Sequence, residues 1–203
     1  MARRGGSGSG EVAQEAARIY VEEALTDFSA AKRKAAERLS PSSRTTLPDN
    51  ARVQAEVLAY QRLFGGPQYV AQLQAMRQTA VAAMKLLAAF NPRLVGTTVS
   101  GAISRASRMQ LHAFPDKPEL VDVFLAERRI AMIADERDYR WPDGRVQSLP
   151  LARFELGKVG VDVALFAPGD ERHAPISPAD GKPARRLNLA ATEALAAEPI
   201  EVL

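Results

Sequence analysis

The sequence predicts an α+β fold, in which a helical N-terminal half precedes a small mixed β-sheet with flanking helices. Two observations support this prediction. Up to Phe90 the apolar residues recur at the spacing of one helix face, whereas beyond Pro92 they stand in short β-branched or alternating runs separated by Gly, Pro and Asp. The composition, with 46% hydrophobic and 25% charged residues in a chain of 203, is that of a globular protein with a sizeable core.

The first half is predicted to contain a series of amphipathic helices. Residues 1–10 are rich in Arg, Gly and Ser and are expected to form a flexible leader, so the first helix is expected from Glu11. Ser29 is predicted to cap a second helix. One face of that helix is basic and presents Lys32, Arg33, Lys34 and Arg38.

Two further helices are expected after a loop rich in Ser, Thr and Pro. Asp49 or Asn50 is predicted to cap the third helix, and the Gly-Gly-Pro sequence at Gly65 is expected to end it. The fourth helix is predicted to run to about Phe90, where the dipeptide Asn91–Pro92 cannot continue it.

The second half is predicted to contain five strands, at residues 94–100, 108–114, 129–134, 152–157 and 161–166. A helix is expected between Pro118 and Arg129, and Pro142–Asp143–Gly144 is expected to form the tip of a hairpin. After Phe166 the chain is predicted to be extended until a last helix capped by Asn188. The predicted organisation is a leader (1–10), a helical region (11–90), an α/β core (91–167) and an extended tail with a short helix (168–203).

The composition excludes several classes of chemistry. Cysteine is absent, which rules out disulfides, thiolate zinc sites and cysteine nucleophiles and favours a reducing, cytoplasmic location. No apolar run approaches the roughly 18 residues that a membrane span needs, so no membrane association is expected. The formal charge of +3 favours anionic partners but is far below that of a dedicated nucleic-acid arm.

Three sequence segments carry a resemblance to a known family. LVGTTVSGAISRASRMQLHAF (94–114) resembles a strand, a Gly-Ser turn, a helix and a second strand, and FELGKVGVDVALF (154–166) resembles the strand pair that follows. In this order they are similar to the nucleotidyltransferase superfamily, whose fold is that of the DNA polymerase β catalytic core. EEALTDFSAAKRKAAERL (22–39) is similar to a bacterial subgroup of small nucleotidyltransferase-like proteins, and the resemblance then covers residues 11–198.

The resemblance implies a magnesium site whose carboxylates this chain lacks. In the family, two aspartates one residue apart on a strand face the same side and hold the Mg²⁺ ions that clamp a nucleoside triphosphate. Matching the strand through Ser107 puts Arg108 and Gln110 in these two places, and Asp162 in the place of the third acid. Because an arginine adds positive charge where the metal would bind, we expect no resident metal, no cofactor and no catalytic residue.

The remaining polar residues of this region predict a ligand site. Ser100 and Gly101 are expected at a strand-to-helix turn whose backbone N–H groups can bind phosphate. Arg108, Gln110 and His112 alternate along one strand and are expected to share a face, whereas His112 and His173 are expected to be ordinary surface histidines. The candidate ligand-binding residues are Ser100, Gly101, Arg105, Ser107, Arg108, Gln110, His112 and Asp162.

Three functional hypotheses follow from these patterns. The first is a catalytically impaired nucleotidyltransferase-like module that binds a nucleotide, an RNA or a protein partner. The second is an active Mg²⁺-dependent nucleotidyltransferase, in which relocated acids join Asp162 as metal ligands. The candidates for that role are Asp116, Asp122, Asp138 and Glu155. The third hypothesis is nucleic-acid binding through the basic face of the second helix, because clustered Lys and Arg side chains neutralise a polyanion.

Overall fold

The computed structural model describes residues 7–39 and 46–203. Within these ranges the first half of the chain forms α1 (Ser7–Glu22), α2 (Phe28–Leu39), α3 (Asn50–Phe64) and α4 (Gly66–Leu86). Helix α1 starts four residues before the predicted position, so residues 7–10 of the predicted leader are helical; the rest of that leader, residues 1–6, lies outside the described residues.

The helix caps explain where these helices begin. The Asp49 side chain accepts a hydrogen bond from the Arg52 backbone N–H at 2.7 Å, which confirms it as the cap of α3. The predicted cap of α2 was wrong. The Asp27 carboxylate, not the Ser29 hydroxyl, accepts from the first free N–H groups, at 2.9 Å from Ser29 N and 3.1 Å from Ala30 N.

The second half confirms the predicted α+β class. Among the described residues, one sheet contains the strands β1 (Arg93–Val95), β2 (Met109–Ala113), β3 (Met132–Arg140), β4 (Val146–Leu156) and β5 (Val159–Leu165). Their order is β1-β2-β5-β4-β3, and the sheet is mixed because β2 and β5 run parallel while the other neighbours are antiparallel. Pro142 and Gly144 lie in the turn between β3 and β4, as the sequence predicts.

Short helices complete the fold: α5 (Thr97–Ser100), α6 (Glu119–Glu127) and α7 (Leu189–Ala197), the last capped by the Asn188 side chain as predicted. The predicted strand over residues 94–100 was wrong in its extent, since only its first two residues belong to β1. Gly96 has φ +76° and turns the chain into α5. Within the described residues, none of the helices has both the length and the apolar character that a membrane crossing requires.

The two faces of the sheet have different neighbours. On one face, Leu111 and Val163 are fully buried in the core that the sheet shares with α4, which contributes Leu73, Met76 and Met84. Helix α4 therefore belongs to the α/β core by packing, although it precedes residue 91. Helices α1 to α3 pack in a second cluster that reaches the sheet region through Ala102.

The opposite face of the sheet is partly covered by the tail. Leu94 and Leu187 exchange two backbone hydrogen bonds of 2.9 Å, and the Ile176 N–H donates to the Arg140 carbonyl at 2.6 Å. Between these two attachments the tail runs across the sheet without helix or strand. Trp141 is buried in a small aromatic cluster on this face together with Phe114 and Phe166.

Replacing Gly96 with alanine should destabilise the fold more than the same change at Gly144. Both residues have positive φ, but an added Cβ at Gly96 would lie 2.6 Å from Gln110 Oε1, whereas nothing lies within 4 Å at Gly144. We expect Gly96→Ala to lower the free energy of unfolding by roughly 1–3 kcal/mol more than Gly144→Ala, since φ +76° with ψ −152° is a backbone conformation almost restricted to glycine, and Gln110 must also shift. Urea unfolding of the two variants measures this; equal losses would contradict it.

Candidate functional site

A cavity of about 680 Å³ lies between the tail and the open face of the sheet. It brings together most of the predicted ligand-binding residues. Ser107, Arg108, Gln110, His112 and Asp162 all line it. Gln110 on β2 lies directly opposite Asp162 on β5, so the predicted shared face of Arg108, Gln110 and His112 is the face that forms the cavity wall.

Asp162 is the centre of an arginine cluster. Its side chain is only 4% exposed, and Oδ1 accepts from Arg108 Nε at 2.6 Å and from Arg153 Nε at 3.4 Å. Oδ2 accepts from Arg137 Nη2 at 2.9 Å. Both carboxylate oxygens are therefore occupied by guanidinium groups, which compensate the cost of burying this negative charge.

Arg108 is held by several acceptors at once. Its Nη1 donates to Glu155 at 2.6 Å, and its Nη2 donates to the backbone carbonyls of Phe154 at 2.9 Å and Val161 at 3.2 Å. Burial disfavours the charged form of Arg108, but the hydrogen bonds to Asp162 and Glu155 outweigh this effect and hold its pKa above the ordinary value. Arg108 is thus a fixed positive charge within the cavity wall.

Gly160 makes room for this arrangement. It lies on β5 two residues before Asp162, and a Cβ added there would collide with the Arg108 guanidinium group. The absence of a side chain at position 160 therefore allows Arg108 to lie against the sheet and reach Asp162.

Two charged residues of the cavity wall are not among those predicted from the sequence. Arg137 on β3 and Arg153 on β4 both line the cavity and both contact Asp162. The antiparallel register places Arg153 directly opposite Asp162. Alternation along β3 and β4 could have assigned each arginine to a face, but only the pairing of β4 with β5 assigns them to this one.

His112 corrects the expectation of a surface histidine. It is 3% exposed, and its Nδ1 accepts a hydrogen bond from Arg186 Nε at 3.0 Å. Burial lowers the pKa of His112 well below its usual value, and the nearby Arg186 and Arg137 guanidinium groups lower it further. His112 is therefore neutral, and its proton lies on Nε2.

Arg186 joins His112 to the tail. Its Nη1 donates to the carbonyls of Asp170 at 2.7 Å and Glu171 at 3.0 Å, and its guanidinium group lies over the Phe166 ring at 4.8 Å. Burial lowers the pKa of Arg186 to about 10. This contact fixes the tail next to the cavity and explains why His112 is covered. His173, in contrast, is exposed, as expected.

Three of the predicted residues are not part of the cavity wall. Ser100 and Gly101 lie at the C-terminal end of α5 and not at a strand-to-helix turn, because that turn is made by Gly96. Ser100 lines an adjoining cavity of about 370 Å³, while the Gly101 carbonyl accepts from the Tyr69 hydroxyl at 3.1 Å. Arg105 is exposed and points to Gln68 on α4.

The helices of the first half hold the loop that leads into β2. Gln61 Nε2 on α3 donates to the Ile103 carbonyl at 2.8 Å, and Gln72 Nε2 on α4 donates to the Ser104 carbonyl at 2.8 Å. Within the loop, the Ser104 N–H donates to the Ser107 hydroxyl at 2.9 Å. The position of Arg108 is thus determined by both halves of the chain.

Most side chains on the basic face of α2 contact other residues of the chain. Lys34 Nζ lies 2.6 Å from Glu23, and Arg38 lies 2.9 Å from Glu23 and 3.3 Å from Glu15. Lys32 Nζ donates to the Pro48 carbonyl at 3.1 Å, and Arg33 is exposed. The face therefore ties α2 to α1 and to the start of α3.

The acids suggested as replacement metal ligands do not gather around Asp162. Asp116 and Asp122 are exposed and are not among the described residues that line the cavity, and Glu155 is paired with Arg108. Asp138 lines the cavity, but within residues 7–39 and 46–203 no three His, Asp or Glu side chains are close enough to hold a metal ion. The residues present do not fit the Mg²⁺ site that the resemblance implies.

The buried His112 should make stability depend on pH. Because its folded pKa lies below the unfolded value, its contribution is complete above about pH 6.5 and is lost as the pH falls towards the folded pKa, at up to about 1.4 kcal/mol per unit. We expect His112→Gln to be less stable than the native chain at about pH 7.5 but to lose less stability on acidification to about pH 5.5. Denaturant unfolding at both pH values measures this, with His173→Gln, a substitution of the exposed histidine, as the control. Identical slopes for the two variants would show that His112 is not the responsible group.

Comparisons of the chain with protein-family models, with curated proteins and with solved structures give no match.

Proposed function

We propose that this protein is a catalytically impaired nucleotidyltransferase-like module, and that its cavity binds a nucleotide without transferring it. The single observation that carries the proposal is the state of Asp162. It stands where the resemblance places a metal-binding acid, yet its two oxygens accept from Arg108, Arg137 and Arg153. The positive charge of these guanidinium groups opposes the binding of a divalent ion at the same carboxylate, and two-metal transfer chemistry needs acids that bind the metal ions.

The size and lining of the cavity support a nucleotide as the ligand. Its volume of about 680 Å³ is within the range of small-molecule sites. Four arginines line it together with two aspartates, and the planar guanidinium group matches the geometry of a phosphate group. The half-buried ring of Tyr139 is also in the lining and offers a surface for contact with a base.

The other two hypotheses have weaker support. Relocated carboxylates would have to converge on Asp162, and Asp116 and Asp122 are exposed elsewhere. Nucleic-acid binding through α2 would have to break the ion pairs of Lys34 and Arg38 with Glu23, the residue after α1.

Nucleotide binding should be visible as stabilisation of the full chain. A ligand at one hundred times its Kd adds about 2.7 kcal/mol to the stability of the folded state, which corresponds to a rise in Tm of roughly 5–10 °C for a chain of this size. We expect such a rise with at least one of ATP, GTP, CTP and UTP, and no release of pyrophosphate when Mg²⁺ and a short RNA are added. Thermal unfolding and a pyrophosphate assay measure the two results.

The variant Gln110→Glu tests whether an acid at this position affects nucleotide binding or restores transfer. It places an acid opposite Asp162, where the resemblance places a catalytic aspartate, and we expect nucleotide binding to weaken by about tenfold through charge repulsion, with no gain of transfer. Gln147→Glu is the control, because Gln147 is exposed on β4 and outside the described cavity lining. Pyrophosphate release by the native chain or by Gln110→Glu would contradict the proposal, as would unchanged Tm with all four nucleotides.

A further inference from the structure

The arginine cluster is unfavourable for a site that binds its ligand through a metal ion. In a metal site, acids hold a divalent cation, and the cation holds the phosphates. Here the one acid at the centre, Asp162, already binds three guanidinium groups that come from three different strand segments. The positive charge that a phosphate would meet is therefore part of the protein itself.

Arg137 and Arg153 are the members of the cluster that can serve a ligand. Since both guanidinium groups donate to the carboxylate of Asp162, they lie within a few ångströms of each other, and their side chains are 36% and 38% exposed. Arg108 differs, because its Nε, Nη1 and Nη2 all have acceptors within the protein. The donors of Arg108 are therefore used by acceptors within the protein, whereas Arg137 and Arg153 face the cavity.

Arg137 and Arg153 each keep N–H groups that can donate to a ligand. An arginine has five N–H groups in a rigid planar fork that matches a phosphate. Arg153 also contacts Asp135 at 3.1 Å, but the Asp135 side chain is 46% exposed, so this contact is screened by water and easily exchanged. Asp162 holds the two forks in place before a ligand arrives, which reduces the entropy lost on binding.

We infer that the cavity binds the phosphate groups of its ligand through Arg137 and Arg153 without a divalent metal ion. This inference rests on the proposed nucleotide-binding function and specifies its chemistry. The two guanidinium groups take the role that Mg²⁺ has in metal-dependent sites, namely neutralising the phosphate charge. Free Mg²⁺ then competes with the protein, because a nucleotide chelated by magnesium carries less negative charge to the arginines.

The test is calorimetric titration of the full chain with ATP, GTP, CTP, UTP and inorganic tripolyphosphate, once in EDTA and once in excess MgCl₂. We expect binding in EDTA to be at least as tight as in MgCl₂, and tripolyphosphate to compete with the nucleotide. Binding that requires MgCl₂ overturns this inference but leaves the proposed nucleotide-binding function standing. If none of the nucleotides binds under either condition, the proposed function fails, and this inference fails with it.

Substitutions of the two arginines distinguish metal-free from metal-dependent ligand binding. Arg137→Gln and Arg153→Gln each remove charge-assisted hydrogen bonds and should weaken binding in EDTA on the order of tenfold to a hundredfold. Arg62→Gln is the matched control, since Arg62 is exposed on α3 and lies outside the described linings of both cavities. Equal affinities of Arg137→Gln, Arg153→Gln and Arg62→Gln would overturn the inference.

The variant Asp162→Asn is expected to affect metal-free and metal-dependent ligand binding differently. An amide keeps one acceptor oxygen for the guanidinium groups and removes a competing negative charge, so metal-free binding should be retained, whereas a metal site would lose its central ligand. Circular dichroism first shows whether this variant folds, because Arg108 loses its main partner. If it does not fold, the arginine variants decide the question alone. Loss of all binding by a folded Asp162→Asn overturns the inference.

Discussion

The contact between the buried Asp162 carboxylate and its three arginines is the interaction on which the candidate site depends. A charge that is 4% exposed is stable only with close partners, and these come from the start of β2, from β3 and from β4, while Asp162 itself is on β5. One ion cluster therefore connects the strands that form the cavity wall. Their register determines which residues can take part: a shift of one residue in β4 would turn Arg153 to the opposite face, away from Asp162.

The surrounding structure serves to position this cluster. Gln61 and Gln72 hold the loop before Arg108, and Gly160 leaves the space in which its guanidinium group lies. On the other side, Arg186 connects the tail to the neutral His112, so that the tail closes one wall of the cavity. The helical half and the tail thus both contribute to the geometry of a site whose charged residues are in or beside the sheet.

Local patterns predicted most of the fold, and long-range pairing explains what they missed. The Asp49 and Asn188 caps, the β3–β4 turn and the shared face of Gln110 and His112 depend on neighbours in sequence, so they could be predicted. The strand expected over 94–100 failed at Gly96, whose positive φ has no counterpart in apolar spacing. The burial of His112 depends on a tail more than fifty residues away, and the contact of Arg137 depends on a strand 25 residues from Asp162, which no short window of sequence contains. Arg153 is only nine residues from Asp162, and its place depends on the register of β4 with β5.

The most direct test of this account is the binding of Mn²⁺, a spectroscopic substitute for Mg²⁺, to the full chain, measured by electron paramagnetic resonance with and without nucleotide. If guanidinium groups occupy both oxygens of Asp162, the protein alone should leave the Mn²⁺ signal of the buffer unchanged, and with nucleotide present it should only raise the signal of free Mn²⁺ by removing nucleotide from the metal. One equivalent of Mn²⁺ bound to the native chain and released by Asp162→Ala would show that this carboxylate holds a metal, and the account would be wrong.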